Sequence, residues 1–351
     1  MTKFFLYIFF SFFLNAFANI PLNVHADDFY LRNKDKIILK NNVSILSDGY
    51  KIFCHKVIFD KGNTEIQFFS KETSIVNFSL IYNIFSIDIE SKFVKCKLRP
   101  SFSLHNQFSQ DDITFIHFLN TKMTLVSTEK ADNIYFSANH LTLNNLKKEL
   151  YLKDDIFMNY NFLTLTTDKA YINFFTPSQL QITCMGNNKI EIQPHEITIK
   201  NNGNIILIEE KNKIFLSSNK EEKVSLSTPF IYMESKNCVI NYEKNNNKKD
   251  IIKNIKCKDD VYIYYKKDAD YYYIKSDYIN YNVTKNEIIL KKINKPILLW
   301  KNDDEITIKT NKIYLKTDDL NKLDTIKSNG KTEVFIKTNG NKLIKKYEHN
   351  T

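Results

Sequence analysis

The chain holds only six glycines, six prolines, one tryptophan and five cysteines in 351 residues. So little glycine and proline excludes a collagenous or low-complexity disordered chain. The glycines are isolated, which excludes a Gly-rich phosphate loop, and no G-x-S-x-G elbow is present. The seven histidines (His25, His55, His105, His117, His140, His195 and His349) form no H-E-x-x-H or H-x-H pattern, so each reads as a surface or strand residue. No cysteine belongs to a C-x-x-C pair, which leaves a zinc site or a thioredoxin-like motif without support. The cysteines are Cys54, Cys96, Cys184, Cys238 and Cys257, an odd number. Cys238 and Cys257 are the first candidates for a disulfide, because they flank one strand-turn-strand stretch. Free buried thiols are the expectation for the rest. Beyond the N-terminus no apolar run is long enough to cross a membrane as a helix.

What is present begins at the N-terminus. Lys3 precedes the apolar run Phe4 to Phe13, and Ala16-Phe17-Ala18 gives small residues at the two recognition positions. This is the layout of a secretory signal peptide, 1–18, cleaved after Ala18. The competing reading is a retained anchor reaching Ile20 or Leu22. Net charge is +10, which fits either an anionic partner or a lysine-rich solvated face. Export leaves little access to nucleic acid, so no nucleic-acid partner is expected.

The dominant period is two. Glu305-Ile306-Thr307-Ile308-Lys309, Lys312-Ile313-Tyr314-Leu315-Lys316 and Lys189-Ile190-Glu191-Ile192 alternate cleanly. Alternation places one face on a core and one in water. β-branched and aromatic residues fill these runs, and short Asn, Lys and Asp breaks separate them. A looser repeat of roughly 22–35 residues lies above the strands, a spacing typical of repeat architectures. Each unit opens on small and acidic or amide residues, as in Ser276-Asp277, and continues through two further strands. A lone hairpin cannot bury its apolar face, whereas stacked ones can. The expected parts are 19–112, 113–226 and 227–351. The stretch from Phe68 to Asp112 reads as less regular, a crossing or insertion. Lys244 to Asp250 reads as a linker or a long hairpin loop.

The paired carboxylates Asp27-Asp28, Asp111-Asp112, Asp154-Asp155, Asp259-Asp260, Asp303-Asp304 and Asp318-Asp319 suit a glycosidase or calcium site by composition. They are expected at strand ends beside turn residues, where acidic pairs are ordinary. No catalytic residue, metal or cofactor is therefore assigned. Tyr271-Tyr272-Tyr273, with Tyr262, Tyr264 and Tyr265, read as strand packing, with a stacking platform for sugars or bases as the alternative.

The phrase Lys275-Ser276-Asp277-Tyr278-Ile279-Asn280-Tyr281, then Asn286-Glu287-Ile288-Ile289-Leu290, then Asn294-Lys295-Pro296-Ile297-Leu298-Leu299 returns from Lys309 to Leu315 and from Ser328 to Val334. It resembles the OstA-like (LptA-type) family of periplasmic lipopolysaccharide-transport proteins. A weaker copy runs from Asn23 to Asp60. The chain is longer than usual for that family and poorer in glycine. The resemblance implies an all-β fold, an elongated open β-jellyroll of repeated short antiparallel hairpins, with two sheets around an apolar groove. It implies a periplasmic bridge protein that binds lipopolysaccharide or a similar glycolipid and performs no bond chemistry. Its partners would be inner- and outer-membrane transport components reached by edge-strand pairing, with head-to-tail self-association. By alternation the groove-lining candidates are Ile288, Leu290, Ile297, Leu299, Ile306, Ile308, Ile313 and Leu315. A one-residue slip would turn all of them outward. The rival readings are a secreted β-solenoid adhesin or surface antigen, with a polar, fully filled interior, and a carbohydrate-active β-helix enzyme, with carboxylates converging in a cleft.

Expressed in a bacterial host with its native leader, the exported protein should start at Asn19 on N-terminal sequencing. A chain that keeps Met1 and fractionates with membranes would instead establish the anchor.

Overall fold

The computed structural model describes residues 23–348 apart from 33–35, 47–49, 61, 72–73, 83–84, 100–112, 128–132, 161, 177–178, 194–195, 209–210, 220–221, 230, 246–247, 268–269, 286, 294–296, 302–305, 318–322, 330 and 339–340. The leader, Asp111-Asp112, Asp303-Asp304, Asp318-Asp319, His105, His195 and His349 lie outside the described residues.

The all-β expectation holds. Strands dominate the described residues, none of which is α-helical. Every pairing described is antiparallel. Alternation in sequence becomes alternation in burial. In Ile197–Ile208 the side chains at 197, 199, 201, 203, 205 and 207 are all buried, and those between are not. The chain divides into two compact units, residues 1–160 with 169–180 and residues 161–168 with 181–351.

In each unit long strands pass from one sheet to the other. The strand Lys36–Leu46 pairs through residues 36–40 with Asp28–Arg32 and through 44–46 with Asn23–His25. Lys248–Lys267 does the same in the second unit, meeting Asn237–Asn245 with its first half and Ile231–Ser235 with its second. The sheets face each other. Phe78 meets Phe118 across the first unit at 5.3 Å between ring centroids, and Phe162 meets Tyr242 across the second at 5.3 Å. This is a jellyroll-type arrangement.

A strand that changes sheet must turn sharply, and there its backbone groups lose their ladder partners. Buried backbone N–H and C=O need replacements. Small buried hydroxyls supply them. Ser91 Oγ lies 2.7 Å from Leu119 O and accepts the Leu119 N–H at 3.1 Å. Thr121 Oγ1 donates to Ala138 O. In the second unit Ser235 Oγ lies 2.7 Å from Lys258 O, and Ser276 Oγ lies 3.2 Å from Lys291 O. Asn188 Nδ2 reaches Gly186 O, Asn201 O and Gly203 O within 3.1 Å. Gly186 and Gly203 pair in register here. Gly186 has φ +101°, and a Cβ on Gly203 would come within 2.2 Å of Ser217 O, so neither position admits a side chain.

The acidic and amide pairs take a place the sequence reading did not assign. Asp154-Asp155 lies inside Glu149–Tyr160, and Asp259-Asp260 lies inside Lys248–Lys267. Neither pair is at a strand end. All four residues have positive φ, as do Asn41 and Asn42 inside Lys36–Leu46. Asn and Asp tolerate this left-handed region better than other side-chain-bearing residues. The ladder slips by a bulge at each corner, between Lys40 and Val43 and between Lys258 and Val261. Their side chains then tie neighbouring strands. Asn41 Nδ2 donates to Asp28 at 2.6 Å, Asn139 Nδ2 to Asp155 at 2.7 Å and Asn237 Nδ2 to Asp259 at 3.0 Å. Ser276-Asp277 is likewise a corner inside Asp270–Asn282 rather than a strand entry.

The stretch read as irregular, Phe68 to Asp112, is also corrected over its described part, which ends at Arg99. Residues 65–98 form four ordinary strands, Glu65–Phe69, Val76–Tyr82, Phe85–Ser91 and Phe93–Leu98. The patch from Lys244 to Asp250 is no linker, since Asn245 pairs with Lys248 across one hairpin.

Replacing Asp155 with Asn should leave stability nearly unchanged, because Asn keeps both the left-handed backbone and an acceptor for Asn139. Asp155→Val should cost about 1–3 kcal/mol. Urea unfolding of the two variants measures the difference.

Candidate functional site

The candidate site is the interior of each unit. Directly paired residues share a face, so the register traces continuous interior rows. In the first unit one row runs Leu31, Ile37, Phe59, Ile66, Cys96, Ile116, Leu143, Leu150. The opposite sheet contributes Val24, Ile45, Ile52, Phe78, Ile89, Met123, Phe136, Met158. Every residue is apolar. Among the described buried residues Asp60 alone carries an ionisable acid or base other than tyrosine and cysteine, and alternation places it on the outer side. There Lys36 Nζ, 2.9 Å from Asp60 Oδ2, holds that carboxyl below the ordinary carboxylate range. The two line an outer depression of about 560 Å³ with Arg32, Asn63 and Gln67.

The eight candidates named from alternation fall on both sheets of the second unit. Ile288 pairs with Leu315 and Leu290 with Ile313, on one sheet. Leu299 pairs with Ile308, Ile297 with Thr310, and Ile306 with Ile336, on the other. The strand Asp270–Asn282 feeds both sheets, pairing with Glu287–Lys291 through its second half and Ile297–Lys301 through its first. Ile288, Leu290, Ile297, Leu299, Ile313 and Leu315 are all buried. Ile308 is only half-buried, and the Ile306 side chain lies outside the described residues.

Burial falls off toward the chain ends of each unit. In the first row Cys96 is 1% exposed, Ile37, Phe59 and Ile66 are half-buried, and Leu31 is 59% exposed. In the second unit Met233, Ile263, Ile274 and Leu299 share a row and are closed to water, while Ile308 and Val334, further along it, are half-buried. The last strand places Lys345 next in that register, a residue type common on protected edges. The first unit thus meets water through apolar side chains at its first strands, and the second through Ile308 and Val334 before the register reaches Lys345. Alternation alone could not find this gradient, because exposure depends on how many strands lie beyond a residue.

The cysteines line the same interior. Cys238 and Cys257 stand opposite each other in the ladder, with Cα atoms 4.1 Å apart, and form the expected disulfide. They share a row with Ile279, Leu290 and Ile313. Cys54, Cys96 and Cys184 are free and buried. Burial pushes the Cys54 and Cys184 thiols up to about 12, and raises Cys96 as well. Such thiols stay protonated at neutral pH and are poor nucleophiles. No cluster of three His, Cys, Asp or Glu side chains suited to a metal occurs among the described residues.

No family model and no curated protein matches the chain. Among solved structures there is a partial likeness to LptH from Pseudomonas aeruginosa, the LptA-homologous periplasmic component of a lipopolysaccharide transport device. Identity is 13%, with 39% of this chain and 84% of that chain covered, at a TM-score of 0.31.

Under native conditions at pH 8 an aromatic disulfide reagent should titrate no thiol, and in denaturant it should titrate three. Changing both Cys238 and Cys257 to Ala should lower unfolding free energy by about 2–4 kcal/mol. Reducing agent should then have no further effect on that variant.

Proposed function

We propose that the protein is an exported carrier that holds the acyl chains of lipopolysaccharide or a similar glycolipid between its two sheets. The observation that carries this reading is the apolar interior of the first unit, which stays apolar out to its exposed first strands. A stacked-hairpin protein that works alone closes its ends with a polar cap. Here Leu31, Ile37 and Phe59 at one end, and Ile308 and Val334 at another, face the interior and meet water. Burying acyl chains against such surface contributes about 0.8 kcal/mol per methylene, with no need of a polar site. Transfer, not catalysis, is what such an interior performs.

The terminal strands also offer backbone edges. Asp28–Arg32 and Asn341–Glu348 each have one partner strand among the described pairings. An unpaired edge can accept a strand from a partner, whether a membrane transport component or a second copy of this chain. The Cys238–Cys257 disulfide suits the oxidising periplasm, as does the leader-like N-terminus. The tight burial of Leu290, Ile297 and Ile313 favours a second reading, a secreted adhesin with a filled interior. On the carrier reading, lipid enters where burial is incomplete.

Purification of the mature protein from a lipopolysaccharide-producing host, followed by native mass spectrometry and lipid extraction, tests this. A bound glycolipid is expected, and Leu31→Asp or Ile308→Asp should reduce its retention at least tenfold. Asn159→Asp, on the exposed outer face of the first unit, should not. A protein that emerges empty and takes up no added lipopolysaccharide sinks the carrier reading in favour of the adhesin.

A further inference from the structure

The second unit carries an aromatic cluster that the interior does not use. Alternation buries Val261, Ile263 and Tyr265 and turns Tyr262 and Tyr264 to the outer face. The triplet divides likewise. Tyr272 contacts Tyr265 on the inner side, with ring centroids 6.1 Å apart, and Tyr271 and Tyr273 join Tyr264 outside. Register aligns Tyr232, Tyr264 and Tyr273 across three neighbouring strands, with Glu234, Tyr262 and Lys275 as the adjacent rung. The Tyr264 ring lies 5.2 Å from Tyr273 and 5.7 Å from Tyr271. Tyr232, Glu234, Tyr262, Tyr264 and Tyr273 line a shallow depression of about 140 Å³.

Its rim is polar in a particular way. The Tyr232 hydroxyl donates to Glu234 Oε1 at 2.7 Å. Lys223 Nζ stands 3.8 Å, and Lys275 Nζ 4.9 Å, from the centroid of the Tyr262 ring. Neither lysine belongs to a salt bridge among the described residues, although Lys275 is hydrogen-bonded to Tyr262 and feels the carboxylates of Asp260 and Asp277. Cross-strand tyrosine pairs stabilise exposed sheets by themselves. That accounts for two rings in contact. It does not account for four outward tyrosines around a depression with a carboxylate and two ammonium groups at its edge.

We infer that this outer face binds a saccharide bearing an anionic group, phosphate or carboxylate. The C–H face of a pyranose is slightly positive and packs on the electron-rich face of an aromatic ring. A shallow site lets the ring lie flat on either Tyr264 or Tyr273, whose planes are tilted 55° to each other, with the other ring at its edge. The Glu234 carboxylate accepts hydrogen from sugar hydroxyls, and tyrosine hydroxyls both donate and accept. Lys223 and Lys275 supply compact positive charge for the anionic substituent. The site is on the opposite side of its sheet from the interior rows, so it does not depend on lipid binding and can be tested with lipid-free sugar.

The probe is the phosphorylated core oligosaccharide released from lipopolysaccharide by mild acid, compared with the same oligosaccharide after dephosphorylation. Saturation-transfer NMR reads which sugar protons touch the protein, and calorimetry reads affinity. Saturable binding is expected, with transfer to ring C–H protons. Tyr264→Ala should weaken it about tenfold or more, while Tyr264→Phe keeps it. Lys223→Ala with Lys275→Ala should weaken only the phosphorylated form. Thermal melting confirms that each variant is folded, as outer-face changes should leave it. Absence of binding, equal binding by Tyr264→Ala, or competition by inorganic phosphate without transfer to sugar protons overturns the site. Equal affinity for both oligosaccharides overturns its preference for an anionic sugar. None of these results depends on whether the interior carries lipid.

Discussion

The fold depends on how its backbone is satisfied where strands cross from one sheet to the other. Each crossing takes N–H and C=O groups out of the ladder and leaves them buried. An unmade hydrogen bond of that kind costs about 1–3 kcal/mol, so the fold cannot tolerate a line of them. Ser91, Thr121, Asn188, Ser235 and Ser276 supply the missing partners, one crossing after another. With the corners satisfied, the same strand can place residues in both sheets, and the interior between them can be wholly apolar. Apart from buried tyrosines such as Tyr160, Tyr242, Tyr265 and Tyr281, the polar side chains of the described residues keep to the corner line, the hairpin ends and the outer faces. That division keeps the interior suited to hydrocarbon and the outside suited to charge and sugar.

Strand identity and antiparallel hairpins were legible because alternation is a local signal. Glu305 to Lys316 shows it plainly, and the interior placement of Leu290, Ile297 and Ile313 followed from it. The corners were not legible. Asp259-Asp260 and Asn41-Asn42 use the chemistry of a turn, since both settings call for positive φ, and only the pairing partners tell a turn from a corner. Residues 76–91 were misread because adjacent apolar residues, Ile75-Val76 and Leu80-Ile81-Tyr82, blur the period, although Phe78 and Leu80, then Ile87 and Ile89, already alternate. The division of Tyr271-Tyr272-Tyr273 between two faces needed the phase of the alternation, which Ile263 and Ile274 fix only once the sheet is seen.

The half-buried positions are a different kind of gap. Ile308 and Ile190 look alike in sequence, each an isoleucine between polar neighbours, yet Ile190 is fully buried. What separates them is distance from the end of the stack. Burial of an interior residue depends on the strands beside it and on the sheet that faces it, and that cover thins toward the end of a stack. Sequence pattern reports face and stays silent on depth.

Scarce glycine is informative in the same light. Gly186 and Gly203 face each other at one corner where a Cβ has no room, whereas other corners manage with Asn and Asp. Most of the fold therefore asks only for a residue class at each position. Because a hairpin adds one rung to both sheets together, a duplication or loss of a whole hairpin would preserve every remaining strand direction and inward-facing row. Losing a single strand would reverse the direction of all that follow. Length is thus the property of this architecture most open to inherited change in whole-hairpin steps.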